Sequence, residues 1–534
     1  MKLHHLVGYA AALTVSALVA DVARGQGMTF LGRYETGLFD GSAAEIPAYD
    51  PVTRRLFVTN SAANSVDILD VSNPAMPTLF NSIGVGGGPN SVAFANGIMA
   101  VAVENSPNQQ PGTVAFYDAS GNFLNAVGVG ALPDGLTFSP NGTTLVVANE
   151  GEPEGYAAGQ FDPEGSISVI DLSGGVASAT VSTAGFGAFN GTTLDPSVRI
   201  FGPGATVAQD LEPEYVAFSA DGQTAYVSLQ ENNAIATVDI ATATVTNIAG
   251  LGFKDHRLAG NALDASDRDG GINIQNWPVY GMYQPDAIAT YEVGGQTLIV
   301  TANEGDAREY DGFEEEARIK DLVLDPTAFP NAAELQLDQN LGRLTVTTTL
   351  GDTDGDGDYD ELYALGARSF SIFQPDGTLV FDSGDALEQI TAAEIPDFFN
   401  STNDETDPDG RSDAKGPEPE GIALGEIDGA TYAFVGLERV GGVAMFDITD
   451  PANVSFVDYL NPRDFLADPT TSAAGDLGPE GLLFISAADS PTGSPLLVVT
   501  NEVSGTTSIY SVVPEPGSLG ALAIGGLMLL RRRK

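Results

Sequence analysis

The sequence predicts an all-β fold, a seven-bladed β-propeller with long acidic loop insertions. Two observations carry that prediction. One strand–turn–strand pattern recurs seven times, and its first copies start at Pro47, Pro89 and Pro133, spacings of 42 and 44 residues. Four-stranded propeller blades repeat every ~40–45 residues. The fullest copy is PDAIATYEVGGQTLIVTANE (residues 285–304): Pro and an acid, a short strand, a Gly-Gly turn, a second strand and a closing Glu. Further copies start at Pro213, Pro419 and Pro479, and the longer later spacings are filled by Gly-, Asp- and Asn-rich sequence. A third strand ending at Asp follows most copies, as in VDILDV, TVAFYD and ISVIDL. Each copy sets apolar, β-branched runs between turn residues, which makes a β-meander. A lone meander cannot bury its apolar faces, so the repetition implies stacking. A pair of all-β sandwiches is the competing architecture, but it does not require one pattern seven times.

Both ends of the chain read as addresses. Residues 1–25 form a signal peptide: Lys2, an apolar run over 6–20, then small residues around Ala23-Arg24-Gly25. The propeller follows over residues 28–512. Residues 513–534 hold Pro514-Glu515-Pro516, a 13-residue apolar stretch and four basic residues. That stretch is short of the ~20 residues a spanning helix needs. The tail resembles the PEP-CTERM sorting signal of Gram-negative-type bacteria, which implies an exosortase-type processing enzyme as a partner and an exported protein of the envelope, outer surface or extracellular matrix. Positive-inside logic leaves the basic end cytoplasmic.

Composition removes several functions. There is no cysteine, so disulfides and thiolate sites are excluded. Of three histidines, His4 and His5 fall in the leader, leaving His256. A Ser-His-Asp hydrolase would therefore hang on one residue. Seventy-two acids against 22 bases give a net charge of −50. Such a body repels nucleic acid and anionic membrane. Membrane contact is expected only through the tail before processing.

The acids fall at fixed places in the repeat. In a propeller the first strand of each blade lines the axial channel and the second runs back. The start of one and the end of the other therefore share a face. The first position holds Asp134, Glu214, Asp286, Glu420 and Glu480, with Asn90; the second holds Glu104, Glu150, Glu231, Glu304, Glu438 and Glu502, with Asn60. Two carboxylate rings at one mouth repel unless solvated, protonated or bridged by cations. Turn capping is the plainer role, but it favours Asp, Asn and Ser over the Glu found in six of seven second positions. Glu150, Glu214, Glu304, Glu420, Glu480 and Glu502 are thus candidate ligands for Ca2+. A second candidate is the loop GDTDGDGDYDEL (residues 351–362), where Asp352, Asp354, Asp356, Asp358 and Asp360 alternate with small residues. Counted from Asp352, acids stand at calcium-loop positions 1, 3 and 5 and Gly357 at 6, but Tyr363 replaces the usual Glu at 12. The stretch NDETDPDGRSD (residues 403–413) reads equally well as a solvated loop.

The long segments around the fifth copy (residues 254–291, 301–310, 313–325 and 351–373), together with GPEPEGIALG and LGPEGLLFIS, resemble the choice-of-anchor I family. The resemblance implies an exported propeller anchored by its C-terminal signal, related to animal biomineralisation surface glycoproteins. Some bacterial members carry alkaline phosphatase or phytase-like labels. Two functions follow. One is a calcium-binding surface or matrix protein that contacts extracellular polysaccharide, mineral or a phosphorylated ligand. The other is a metal-dependent phosphoric ester hydrolase, with Ca2+ in the mouth and Asp286, Glu304, Asp306, Arg308, His256 and Arg439 as candidate catalytic groups. In that scheme Arg308 and Arg439 would orient phosphate, though for each the better-supported role is an ion pair that neutralises a neighbouring acid.

Overall fold

The computed structural model describes residues 27–513. The expected signal peptide, residues 1–25, and the expected sorting tail beyond Val513 lie outside the described residues. Among the described residues the fold is all-β: strands dominate, and the longest helix, Ala386–Glu394, has nine residues. No helix of the described residues is long and apolar enough to cross a membrane.

Seven four-stranded antiparallel sheets follow one another along the chain. We number them one to seven by their first strands: Pro47–Asp50, Pro89–Ala95, Pro133–Phe138, Pro213–Phe218, Ile288–Val293, Pro419–Ile427 and Pro479–Ile485. These are the seven copies of the repeat. Sheet five admits an insertion between its second strand, Gln296–Asn303, and its third, Ser369–Phe373. Sheet seven takes its outer strand from the other end of the described chain, Gly27–Glu35 pairing with Thr506–Val513. No single sheet closes on itself. The first strands of successive sheets touch in order, and that of sheet seven touches that of sheet one.

Apolar side chains pack between neighbouring sheets rather than in one central core. Ala48 and Phe57 of sheet one meet Val92 and Val101 of sheet two; Val146 and Ile167 of sheet three meet Val216 and Phe218 of sheet four. Val300 and Phe370 of sheet five meet Ile422 and Val435 of sheet six, while Tyr432 and Phe434 meet Leu482 and Val499 of sheet seven. Each fully buried Val, Leu or Phe contributes roughly 1.5–3 kcal/mol, so the stack depends on every sheet having two neighbours. Gly135, Gly421 and Gly481 show how close they come. A Cβ at these positions would strike the backbone carbonyls of Glu214, Glu480 and Glu45 on the next sheet.

The acidic insertions are more than loops. Phe253–Asp255, Tyr280–Met282, Glu316–Arg318, Thr345–Thr347 and Tyr363–Ala364 build a separate five-stranded mixed sheet. It buries its own cluster of Leu263, Trp277, Ile319, Leu341, Val346 and Leu362. Those apolar residues are scattered among Asp, Gly and Asn in the sequence, without strand-like alternation, so only their meeting in space makes the core.

Candidate functional site

A backbone irregularity places the first acid of each repeat. In sheets three, four, six and seven the ladder slips between the initial Pro and the residue three places on, as between Pro133 and Leu136. Such a bulge leaves residues outside the pairing and re-aims their side chains. It frees Asp134, Glu214, Glu420 and Glu480 from the sheet plane. The second acid is placed by a buried Asn at the end of strand two. Asn149 donates to Ser166 O and Ser168 Oγ, Asn303 to Ser369 Oγ and Ser371 Oγ, and Asn501 to Thr506. Strand two is thereby pinned to strand three just before Glu150, Glu304 and Glu502. The backbone N–H groups of Glu150, Glu438 and Glu502 then donate to Leu132, Glu418 and Gly478, next to the opening of strand one. The two acids of each repeat end side by side.

Across repeats they converge. Carboxylate oxygens of Asp286, Glu304 and Glu420 lie within 4.8 Å of one another, as do those of Glu304, Glu418 and Glu438 and those of Glu45, Glu480 and Glu502. Asp134, Glu150, Glu104 and Glu480 share a depression of about 370 Å³ with Glu45, Glu152, Asn90 and Asn108. The repeat acids gather in these groups, and the sequence reading missed Glu45, Glu152, Glu212 and Glu418, which stand just before or after the repeat positions. Their signal was the doubled acid in EGEPE, LEPE and PEPE.

Charge is crowded here. Burial first, and neighbouring carboxylates second, push Glu150, Glu214, Asp286, Glu420, Glu438 and Glu480 well above the ordinary carboxylate range. Burial takes Asp134 up to about 7, and does the same to Glu45 despite its bonds from Ser61 and Ser42. One Oε2 on each of Glu214, Glu231, Glu420, Glu438 and Glu480 is buried without a hydrogen-bond partner. Glu231 is only 5% exposed and Glu438 only 4%.

One corner differs. Lys415 Nζ reaches Glu304 Oε1 at 2.6 Å and Glu418 Oε2 at 3.2 Å, and Arg439 Nε reaches Glu418 Oε2 at 3.0 Å. Arg411 lies 2.5 Å from Glu418 Oε1. Burial alone would raise Glu418, but these three cations overcome it and pull the carboxyl down to about 2. Lys415 was not among the candidate residues; its position in DAKGPEPEG, just ahead of a repeat, was the available signal.

Four of the six candidate catalytic groups come together. Asp286 and Glu304 meet, and Asp306 stands close enough to Glu304 and Lys415 to feel both charges. Arg439 joins the Glu304, Glu418 and Glu438 group, while Arg308 and His256 lie apart. Arg308 is 1% exposed, ion-paired with Asp210 and Glu212 and stacked 4.5 Å above the Phe201 ring. It braces the wall, and the one guanidinium nitrogen left without a partner, Nε, is buried. His256 is also 1% exposed, with Nδ1 2.7 Å from Asn261 O beside the inserted sheet. Burial, then the Lys254 ammonium, push its imidazole well below the ordinary value. Arg439 is taken by Glu418 and Glu438.

The Asp-rich loop lies on the insertion. Asp352 accepts from the N–H groups of Gly355 at 2.7 Å and Gly357 at 3.0 Å, and Asp360 from Thr353 N and Oγ1. The acids drawn together are Asp358, Asp360 and, from outside the loop, Asp325. Burial and then Asp356 push Asp358 up to about 6, while Asp356 above all raises Asp354. Asp325 comes from the strand bridging Leu324 to Tyr359, a pairing that no loop consensus reveals.

A family model for the choice-of-anchor I domain matches residues 45–451. The chain belongs to the choice-of-anchor I family. Two curated relatives are animal proteins. Gigasin-3a of Magallana gigas is 33% identical over 190 residues, covering 33% of this chain and 66% of the relative. The mesenchyme-specific cell surface glycoprotein of Strongylocentrotus purpuratus is 30% identical over 363 residues, covering 61% and 43%. The chain thus spans just under two thirds of the first relative's length and less than half of the second's. Among solved structures it is similar to the Myceliophteria thermophila Cps50 (Swd1) β-propeller domain, with 9% identity, 91% of this chain and 100% of that one covered, and a TM-score of 0.46. Kuenenia stuttgartiensis hydrazine synthase matches with 14% identity, 90% and 99% coverage and a TM-score of 0.45. Family and relatives fit an exported or surface protein.

Proposed function

We propose that this protein is a seven-bladed, exported calcium-binding propeller that works as a binding or structural module at the cell surface or in the extracellular matrix. The seven four-stranded sheets are its blades, and the acidic mouth is its working face. The observation that carries the reading is the set of buried carboxylate oxygens without partners on Glu214, Glu231, Glu420, Glu438 and Glu480. An all-oxygen donor set in an anionic cavity suits a hard divalent cation, which takes six to eight oxygens at about 2.3–2.6 Å. Calcium held there neutralises the ring and keeps coordination positions for an anionic partner: polysaccharide, mineral or a phosphorylated group. Export through the signal peptide, and processing of the tail by an exosortase-type enzyme in a Gram-negative-type envelope, complete the proposal. A phosphoesterase draws no support, because Arg308, His256 and Arg439 are held away from any substrate by burial and ion pairs.

The test is calcium titration of the chelator-stripped protein, read by calorimetry and by melting temperature. Saturable binding that weakens in Glu231→Gln and Glu480→Gln supports the reading. Unchanged binding in both variants sinks it. Calcium-dependent turnover of phosphate monoesters or diesters would restore the hydrolase.

A further inference from the structure

A second acidic cluster lies outside the mouth, where the insertion meets the chain ahead of sheet six. Oxygens of Asp264, Asp269 and Asp409 lie within 4.8 Å of one another. Asp264 and Asp409 are buried and Asp269 half-buried. The acids around them are each paired with a base: Asp267 and Asp413 with Arg343, and Glu388 with Arg368. Among the described ion pairs none reaches Asp264, Asp269 or Asp409. Their bonds are local: Asp264 accepts from Ser266 N and Asn273 N, Asp269 from Gly271 N, and Asp409 from Ser412 Oγ. Three facing carboxylates without a counter-charge are unfavourable in a buried setting.

A second observation points to a ligand. Asn400 is fully buried, and its Nδ2 donates to Glu388 Oε1 and to Ser412 Oγ, the hydroxyl that itself donates to Asp409. Its Oδ1 has no partner, and neither has the buried Oγ of the adjacent Ser401. Glu388 in turn accepts from the N–H of Asp264. The orphaned carbonyl therefore sits in the network joining Asp264 to Asp409. A buried carbonyl oxygen without a donor calls for a cation or water.

We propose that Asp264, Asp269 and Asp409, with Oδ1 of Asn400, form a calcium site that staples the inserted sheet to the segment leading into sheet six. Oxygens within 4.8 Å of one another can share one calcium, which binds oxygen at about 2.3–2.6 Å. There is no thiol in the chain, and His256 is turned to Asn261, so the donors are oxygen only. The two ends of residues 400–413 are then fastened, with Asn400, Asp409, Ser412 and Asp413 buried, while Asp404, Glu405, Asp407 and Pro408 between them stay exposed.

Trp277, the only tryptophan of the chain, packs in the same cluster as Leu263 and Ala265, the two neighbours of Asp264. Trp277 packs equally with Leu324 and Tyr359, the neighbours of Asp325, Asp358 and Asp360. Terbium emission excited through tryptophan therefore reads both acid groups of the insertion, and every titration is made with Asp358→Asn and Asp360→Asn in place to silence the second. The full chain titrated with Tb3+ is expected to emit, to lose the emission to competing Ca2+, and to bind more than about tenfold more weakly in Asp269→Ala and Asp409→Ala. Glu480→Gln, a mouth variant, leaves the titration unchanged. Emission undiminished in both alanine variants, or no tryptophan-excited emission from the terbium-saturated chain that carries only Asp358→Asn and Asp360→Asn, overturns the proposal. If Asp409→Ala fails to fold, Asp269→Ala decides, since its side chain accepts only from Gly271.

Discussion

Two arcs of one mouth hold their carboxylates in opposite ways. Around Glu418 three cations converge, and the carboxyl is pulled down to about 2 although fully buried. Around Glu480, Glu45 and Asp134 there is no such partner among the described ion pairs, and each carboxyl is pushed up, to about 7 for the last two. The repeat supplies the same backbone to both arcs. Bases from the segment ahead of sheet six, Arg411 and Lys415, make the difference. A buried acid beside its counter-charge stays ionised and structural; one without it must keep a proton or take a metal.

The largest expected effect separates the arcs by mutation. Glu418→Ala leaves Lys415, Arg411 and Arg439 facing one another and should cost about 3–5 kcal/mol in urea unfolding. Glu480→Gln in chelator should instead be neutral or stabilising, because it relieves repulsion. If both variants are destabilised alike without metal, the contrast between the arcs is wrong.

Calcium should act on the uncompensated arc. Saturation at 100–1,000 times the dissociation constant stabilises by about 2.7–4.1 kcal/mol for one site, measurable as a higher melting temperature. Glu480→Gln should lose much of that gain.

A smaller effect is the pH dependence. Glu45 and Asp134 have folded values near 7, above their ordinary values of 4.5 and 3.8. The folded state therefore binds more protons than the unfolded one. Their contribution is fully present below about pH 4 and is lost as pH rises through about 7. Metal-free protein should melt at lower temperature at about pH 8 than at about pH 5, and calcium should flatten that slope. A metal-free melting temperature that rises across this range would contradict the assignment. Smallest of all, Asp354→Asn on the exposed loop should leave the chelated protein's melting temperature unmoved while weakening any calcium bound beside Asp358 and Asp360.

Much of the site was legible because the repeat carries it. Pro followed by an acid marks a strand start that cannot complete its ladder, and Asn-Glu marks a strand end pinned from within, so Asp134, Glu214, Glu304 and Glu502 could be placed before any coordinates. Arg308 shows where that reasoning stopped. Near a repeat edge it reads as the partner of a neighbouring acid, and it does form ion pairs, but with Asp210 and Glu212, residues some hundred positions earlier. The same holds for His256, which the inserted sheet encloses.

The sequence by itself determined the β-meander repeat, the face on which its acids gather and the absence of thiol chemistry, because each depends on residues a few positions apart. Tertiary structure alone decided which acids receive a counter-charge, which are left to a cation, and that the insertion folds as a sheet. Those outcomes rest on contacts between segments far apart in the chain, and a buried charge is governed by what stands within a few ångströms of it rather than by its neighbours in sequence.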